Sequence, residues 1–170
     1  QKRWRAERVM VLDFDAHHGD GTEEILADRP GVRFLSLFQW PLFPHRRMEP
    51  TPSNAVLSPL PAGAGGEEIR NVVENVWLPE IDKFQPDLMI LSAGFDAHCE
   101  ERIAQLKAGE MDYACVTRLL VEASFAYCEG RLVSVLEGGY ELRSLARSVF
   151  THLQGLIRNP LPAETCKDPN

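Results

Sequence analysis

Val9-Met10-Val11-Leu12-Asp13-Phe14-Asp15-Ala16-His17-His18-Gly19-Asp20-Gly21 decides how this chain reads, because four apolar residues stop abruptly at a dense polar run. The same break recurs further along. Val32-Arg33-Phe34-Leu35-Ser36-Leu37-Phe38 runs into Gln39-Trp40-Pro41, and Leu88-Met89-Ile90-Leu91 runs into Ser92-Ala93-Gly94-Phe95-Asp96. Leu132-Val133-Ser134-Val135-Leu136 runs into Glu137-Gly138-Gly139-Tyr140. A strand buried on both faces is written as a near-continuous apolar run, whereas a one-sided strand alternates. The four runs are therefore expected as central strands of a parallel sheet.

Helical patterns lie between them. Ile69, Val72, Val73, Val76, Trp77 and Ile81 recur at helical spacing, with Glu67 and Glu68 in the first turn, where the dipole favours acids. Pro79 is expected to kink or end that helix, since it lacks the N–H that the ladder needs. A second helix is expected over about 111–127, with Val116, Leu119, Leu120 and Ala123 inward and Gly130 just past its end. A third follows Tyr140 and carries Leu142, Leu145, Val149, Leu153 and Leu156. Strands alternating with helices give an α/β fold with a covered parallel sheet. The proline-rich stretch 39–66 differs, offering only a short strand near Ala55-Val56-Leu57, with Pro59 and Pro61 against its continuation. Gly63-Ala64-Gly65-Gly66 lacks a following G-K-[ST] and reads as entry to a helix, not as a phosphate cradle.

Composition bounds the function. The chain has 170 residues, 44% hydrophobic and 25% charged, the proportions of an ordinary globular domain. No apolar run approaches the ~20 residues that a spanning helix needs, so no membrane partner is expected. The net charge of −7 argues against nucleic acid as the main ligand, because phosphate binding wants a basic face. Cys99, Cys115, Cys128 and Cys166 show no C-x-x-C pair, and Gln1-Lys2-Arg3-Trp4-Arg5 does not open a secretory signal. Reduced thiols in a cytoplasmic protein are the expectation.

The chemistry gathers at the ends of the apolar runs, where parallel sheets bind their ligands. If extension continues past Leu12, Asp13, Asp15 and His17 share one direction. Carboxylate oxygens beside an imidazole suit zinc, and also iron(II) or manganese. Asp96, two residues past Gly94, would complete a three-ligand set that leaves one position open for water, as a catalytic metal needs. His98 is read as a supporting or packing histidine. Tyr140 follows two glycines that permit a close turn, so its phenol can meet a carbonyl oxygen as negative charge develops. His45-Arg46-Arg47 reads as a solvated basic turn, and His152, among apolar neighbours on a helix, as structural.

Taken together, Val11 to Thr22, Ser92-Ala93-Gly94-Phe95-Asp96-Ala97-His98 and Leu136-Glu137-Gly138-Gly139-Tyr140 resemble the zinc-dependent histone deacetylase family. The resemblance is to its class II and bacterial deacetylase-like branch, which includes acetylpolyamine amidohydrolases. It implies an arginase/deacetylase-like parallel sheet flanked by helices. It also implies zinc on Asp15, His17 and Asp96, and Tyr140 as the residue that polarises the scissile carbonyl. A potassium ion is implied at Asp13, with backbone oxygens of Asp15, His17 and Leu37 and the Ser36 hydroxyl. Asp13 and Asp20 match aspartates that hold a pair of catalytic histidines, which in the family precede the first motif. Residues 1–170 are accordingly expected to be a single partial domain, its carboxyl-terminal half, whose partner is the missing upstream half.

The implied reaction is removal of acetyl from an N-acetylated lysine, polyamine or other small amide. Two departures bear on it. His45-Arg46-Arg47-Met48-Glu49 stands where relatives often carry Gly-Thr-Gly, at the substrate rim. Glu100-Glu101-Arg102 stands where they often carry Asp-Pro, and is expected to alter a surface turn only. The alternatives are a metal-binding fragment without turnover and, more distantly, a metallophosphoesterase, which also opens on D-x-H.

Overall fold

A computed structural model describes residues 6–45 and 50–157. Five strands form one parallel sheet in the order β3-β2-β1-β4-β5: β1 Val9–Asp13, β2 Val32–Gln39, β3 Ala55–Leu60, β4 Leu88–Ala93 and β5 Leu132–Leu136. The helices are α1 Asp20–Leu26, α2 Gly66–Val72, α3 Leu78–Phe84, α4 Glu110–Cys128 and α5 Leu142–Leu156. The expected α/β architecture is present.

Alternation along each strand divides the sheet into two faces. Met10 and Leu12 of β1, Leu35 and Leu37 of β2, and Met89 and Leu91 of β4 enter the main core. There they meet Ile69 of α2, Ile81 of α3, and Val116 and Leu120 of α4, with Leu145 and Val149 of α5 packed alongside. Phe34 and Phe38 are buried outside that cluster, near the buried His18. Asp13 belongs to this second side, between Ser36 and Ser92 in register.

Three expectations need correction. β5 is an edge of the described sheet, not a central strand, and Val133, Val135 and Leu136 are exposed. Its apolar run looks the same in sequence whether or not a neighbour covers it. β3 runs through Pro59, which pairs with Phe38. An edge strand tolerates proline because one side needs no ladder donor. Pro79 does not end its helix. Residues Val73–Trp77 form a π-helical turn, and the Leu78 N–H reaches back to the Val73 carbonyl. The wider turn re-registers the ladder so that Pro79 falls near the first position of α3, where its missing N–H costs nothing.

Cys99 and Cys128 are free thiols. No helix among the described residues is long and apolar enough to cross a membrane.

Candidate active site

The carboxyl ends of β1, β4 and β5 converge. Extension stops at Asp13, so the strand-like alternation expected through His17 is not how the first motif works. Instead, the Asp15 N–H donates to Asp13 Oδ1 at 3.0 Å and the His17 N–H to Asp15 Oδ1 at 2.8 Å. Each aspartate thus accepts from the backbone two residues on, the bond that makes aspartate a turn former. These two turns bring Asp15 and His17 to one point. Asp96 arrives from the loop after β4, where its Oδ1 accepts the Ala16 N–H at 2.8 Å.

His17 Nδ1 lies 3.1 Å from Asp15 Oδ1 and 2.9 Å from Asp96 Oδ2. One ligand atom from each of the three residues falls within 4.8 Å of the others. Asp96 is fully buried, and its Oδ2 accepts no hydrogen bond despite the nearby ring nitrogen, whose direction is wrong for one. Burial pushes the Asp96 carboxyl up, outweighing the pull of His17. Asp15 is held low because bonds from His17 and from the Gly138 N–H together outweigh its burial. The adjoining carboxylates of Asp15, which is hydrogen-bonded to the ring, and of Asp96 push the His17 imidazole up to about 10. The pocket is thus short of positive charge. An orphaned buried carboxylate oxygen, a second carboxylate and an imidazole fit a divalent metal of the zinc, iron(II) or manganese kind.

The third motif is stitched onto the first two. The Glu137 N–H donates to the Ala93 carbonyl at 3.0 Å, and the Phe95 N–H to the Gly138 carbonyl at 2.8 Å. The Gly138 N–H donates to Asp15 Oδ2 at 2.9 Å. A Cβ on Gly138 would lie 2.4 Å from Asp15 Oδ2 and 2.5 Å from Asp96 Oδ2, so glycine is needed for close approach. Gly139 has φ +135°, a conformation that other residues rarely adopt. Tyr140 follows and is 63% exposed. It shares a cleft of about 360 Å³ with Asp15 and His17, flanked by Phe43 and Ile103. Partial burial and the charges of Asp96, Asp15 and Glu101 push its phenol up, so it remains an O–H donor at neutral pH.

Asp13 lines the same cleft, and burial holds its carboxyl well above the usual range. Ser36 sits opposite it in register, followed by Leu37 in β2. Asp20 instead starts α1, exposed, with Oδ1 accepting the Gly21 N–H at 2.8 Å. His18 is committed elsewhere: Nε2 is 2.6 Å from Glu23 Oε2 and Nδ1 is 3.5 Å from Ser36 Oγ. That pairing was not legible beforehand, because α1 hides inside the polar motif. His98 is buried, with Nδ1 accepting the Glu100 N–H at 3.1 Å and Nε2 3.5 Å from Glu110.

His152 has the structural place expected of it. Thr117 Oγ1 gives its proton to the Tyr113 carbonyl and therefore accepts from Nδ1 at 2.6 Å, while Ser134 Oγ donates to Nε2 at 2.9 Å. Burial pushes its imidazole down to about 4, and it stays neutral. His45 stands beyond Phe43, ring to ring at 6.5 Å, while Arg46 and Arg47 lie outside the described residues. Phe43 and Ile103 had no sequence signal, since a cleft wall and an ordinary loop residue look alike.

Residues 1–156 match the family model described as the histone deacetylase domain. Histone deacetylase 10, chloroplastic, of Oryza sativa subsp. japonica is 33% identical over 175 residues, covering 99% of this chain and 40% of that protein. Polyamine deacetylase HDAC10 of Mus musculus is 31% identical over 180 residues, covering 95% of this chain and 26% of that protein. The crystal structure of the HDA15 HD domain superposes with a TM-score of 0.83 at 29% identity, over 94% of this chain and 47% of that one. The chain therefore spans less than half the length of each. With 156 of its residues matched by the model of the histone deacetylase domain, this chain belongs to the histone deacetylase family.

Proposed function

We propose that the chain supplies the metal-binding and oxyanion-stabilising side of a deacetylase acting on an N-acetylated amine, either an acetyl-lysine side chain or an acetylpolyamine. The observation that carries this reading is the meeting of Asp15, His17 and Asp96 within 4.8 Å, with the Tyr140 turn bonded to one of those carboxylates through Gly138. A divalent metal there, zinc in the first instance, supplies Lewis acidity toward the acetyl carbonyl and the attacking water. Asp15 and Asp96 contribute two negative charges, and His17 a neutral imidazole once its proton is displaced. Phe43 and Ile103 flank the aliphatic stem of the substrate. Tyr140 donates its O–H to the carbonyl oxygen as charge develops. Asp13, with the Ser36 hydroxyl and backbone oxygens of Asp15, His17 and Leu37, would hold potassium.

A histidine is the commonest group to take and deliver the proton; among the described ones His17 is given to the metal, His45 is exposed beyond Phe43, and the other three are engaged elsewhere. His18 is paired with Glu23, His98 faces Glu110, and His152 is fixed between Thr117 and Ser134. We therefore assign the base to the histidine pair that the family resemblance puts before the first motif, with Asp13 and Asp20 as its partners. Residues 1–170 form one part of that domain. A second reading, metal binding without turnover, draws on the same accounting. Family membership sets the metallophosphoesterase alternative aside.

The test compares the 170-residue chain with a form extended upstream, on an acetyl-lysine peptide and an acetylpolyamine, with and without chelator. Both forms should bind zinc through His17, and only the longer one should turn over. Chelator-sensitive turnover by the short chain would overturn the assignment of the base. Zinc binding unaffected by His17→Ala would overturn the metal site.

A further inference from the structure

The loop after β4 departs from the expectation that Glu100-Glu101-Arg102 forms a plain surface turn. Glu101 Oε1 accepts two consecutive backbone donors, the Tyr140 N–H and the Glu141 N–H, each at 2.6 Å. Bonds to an ionised acceptor are roughly twice as strong as neutral ones. Its neighbour Glu100 does something else, pairing with Arg147 of α5 at 2.6 Å.

The Tyr140 side chain has little packing of its own, since Tyr140 is 63% exposed and Leu142 beyond it 75%. Its direction must therefore come from the backbone. On one side the Gly138 N–H ties the turn to Asp15, and next comes Gly139 at φ +135°, a residue with wide conformational freedom. Without a second anchor, rotation at Gly139 would swing the phenol freely. Glu101 supplies that anchor on the far side of the glycine.

We propose that Glu101 is the positioning residue for Tyr140, its carboxylate fixing the turn that presents the phenol to the cleft. The proposal rests on the reading of Tyr140 as the oxyanion donor. The hydrogen bonds of the Glu101 carboxylate go to the backbone N–H groups of Tyr140 and Glu141, so it acts on the phenol through that turn and through its charge, and not through the metal ligands.

The test uses the complete enzyme and four variants: Glu101→Ala, Glu101→Gln, Glu100→Ala and Tyr140→Phe. Amide hydrogen exchange at residues 140 and 141 reads the anchor without reference to activity. Glu101→Ala should speed both amides about tenfold or more and lower kcat about 10–100-fold. KM and bound zinc should stay close to wild type. Glu101→Gln keeps a carbonyl oxygen and should restore most of both, which separates loss of the anchor from misfolding. Glu100→Ala should leave the two amides and kcat unchanged. Unaltered exchange in Glu101→Ala, or unaltered kcat while Tyr140→Phe is impaired, would overturn the proposal. Unchanged turnover in Tyr140→Phe would instead overturn the role of the phenol, and the exchange rates would still decide whether Glu101 holds the turn.

Discussion

Replacing Gly138 with alanine tests the site through one methyl group. The φ of Gly138 is outside the left-handed range, so the backbone itself accepts alanine and the outcome rests on space. The new Cβ would lie 2.4 Å from Asp15 Oδ2 and 2.5 Å from Asp96 Oδ2, against a floor of 3.0 Å for real contacts. The oxygens must therefore retreat by at least 3.0 − 2.4 = 0.6 Å and 3.0 − 2.5 = 0.5 Å, or the turn must withdraw and stretch its bond to Asp15. Metal–ligand distances tolerate only about ±0.2 Å. Asp96 is fully buried and has nowhere to swing. Disturbing the groups that orient metal ligands costs about 10–100-fold in affinity, or about 1.4–2.7 kcal/mol. Overpacking should also lower stability by about 1–3 kcal/mol. Zinc competition against a chromophoric chelator reads the first effect, and thermal unfolding followed by circular dichroism reads the second. Gly138→Ala with wild-type zinc affinity would refute the claim that this glycine is shaped around the two carboxylates.

Gly21→Ala is the matching control: nothing lies within 4 Å of its added methyl and it sits inside α1, so unfolding should show a gain of about 0.5–1 kcal/mol. Tyr140→Phe in the complete enzyme should lower kcat while zinc content, measured by elemental analysis, stays unchanged, because the phenol acts on developing charge and not on the ion. His152 gives a pH dependence whose sign follows from its depressed value. Its neutral form is favoured on folding, so its contribution is complete above the ordinary histidine value of 6.5 and is lost as pH falls toward about 4. The loss is up to about 3 kcal/mol. Denaturant unfolding between pH 7 and 4 should show this decline, and His152→Gln should flatten that part of it.

The core of the fold was legible because burial on both faces leaves a continuous apolar run, as in Val9-Met10-Val11-Leu12 and Leu88-Met89-Ile90-Leu91. The same signal says nothing about how many neighbours a strand has, which is why β5 read as central. Residues 73–77 look like any amphipathic helix, since a π turn changes the hydrogen-bond register and not the composition. At the site, Asp15, His17, Asp96 and Tyr140 stood out as polar groups just past the ends of apolar runs. Glu23 and Glu101 did not, because each acts through a partner that only folding brings near.

The pairing of β1 with β4 also sets the order in which the site can come into being. Val9 lies opposite Leu88, a separation of 88 − 9 = 79 residues, whereas Val9 and Val32 are 32 − 9 = 23 apart. Closing the longer loop costs about 1 kcal/mol more in chain entropy, and contacts so distant along the chain slow folding. Asp15 and His17 travel together on one turn, but Asp96 joins them only when β4 docks. We therefore expect a folding chain to pass through a two-ligand stage before it gains the third. Tight metal uptake becomes a clock for the docking of β4, readable by stopped-flow alongside the growth of sheet signal. A metal offered early should capture its place only as that strand arrives.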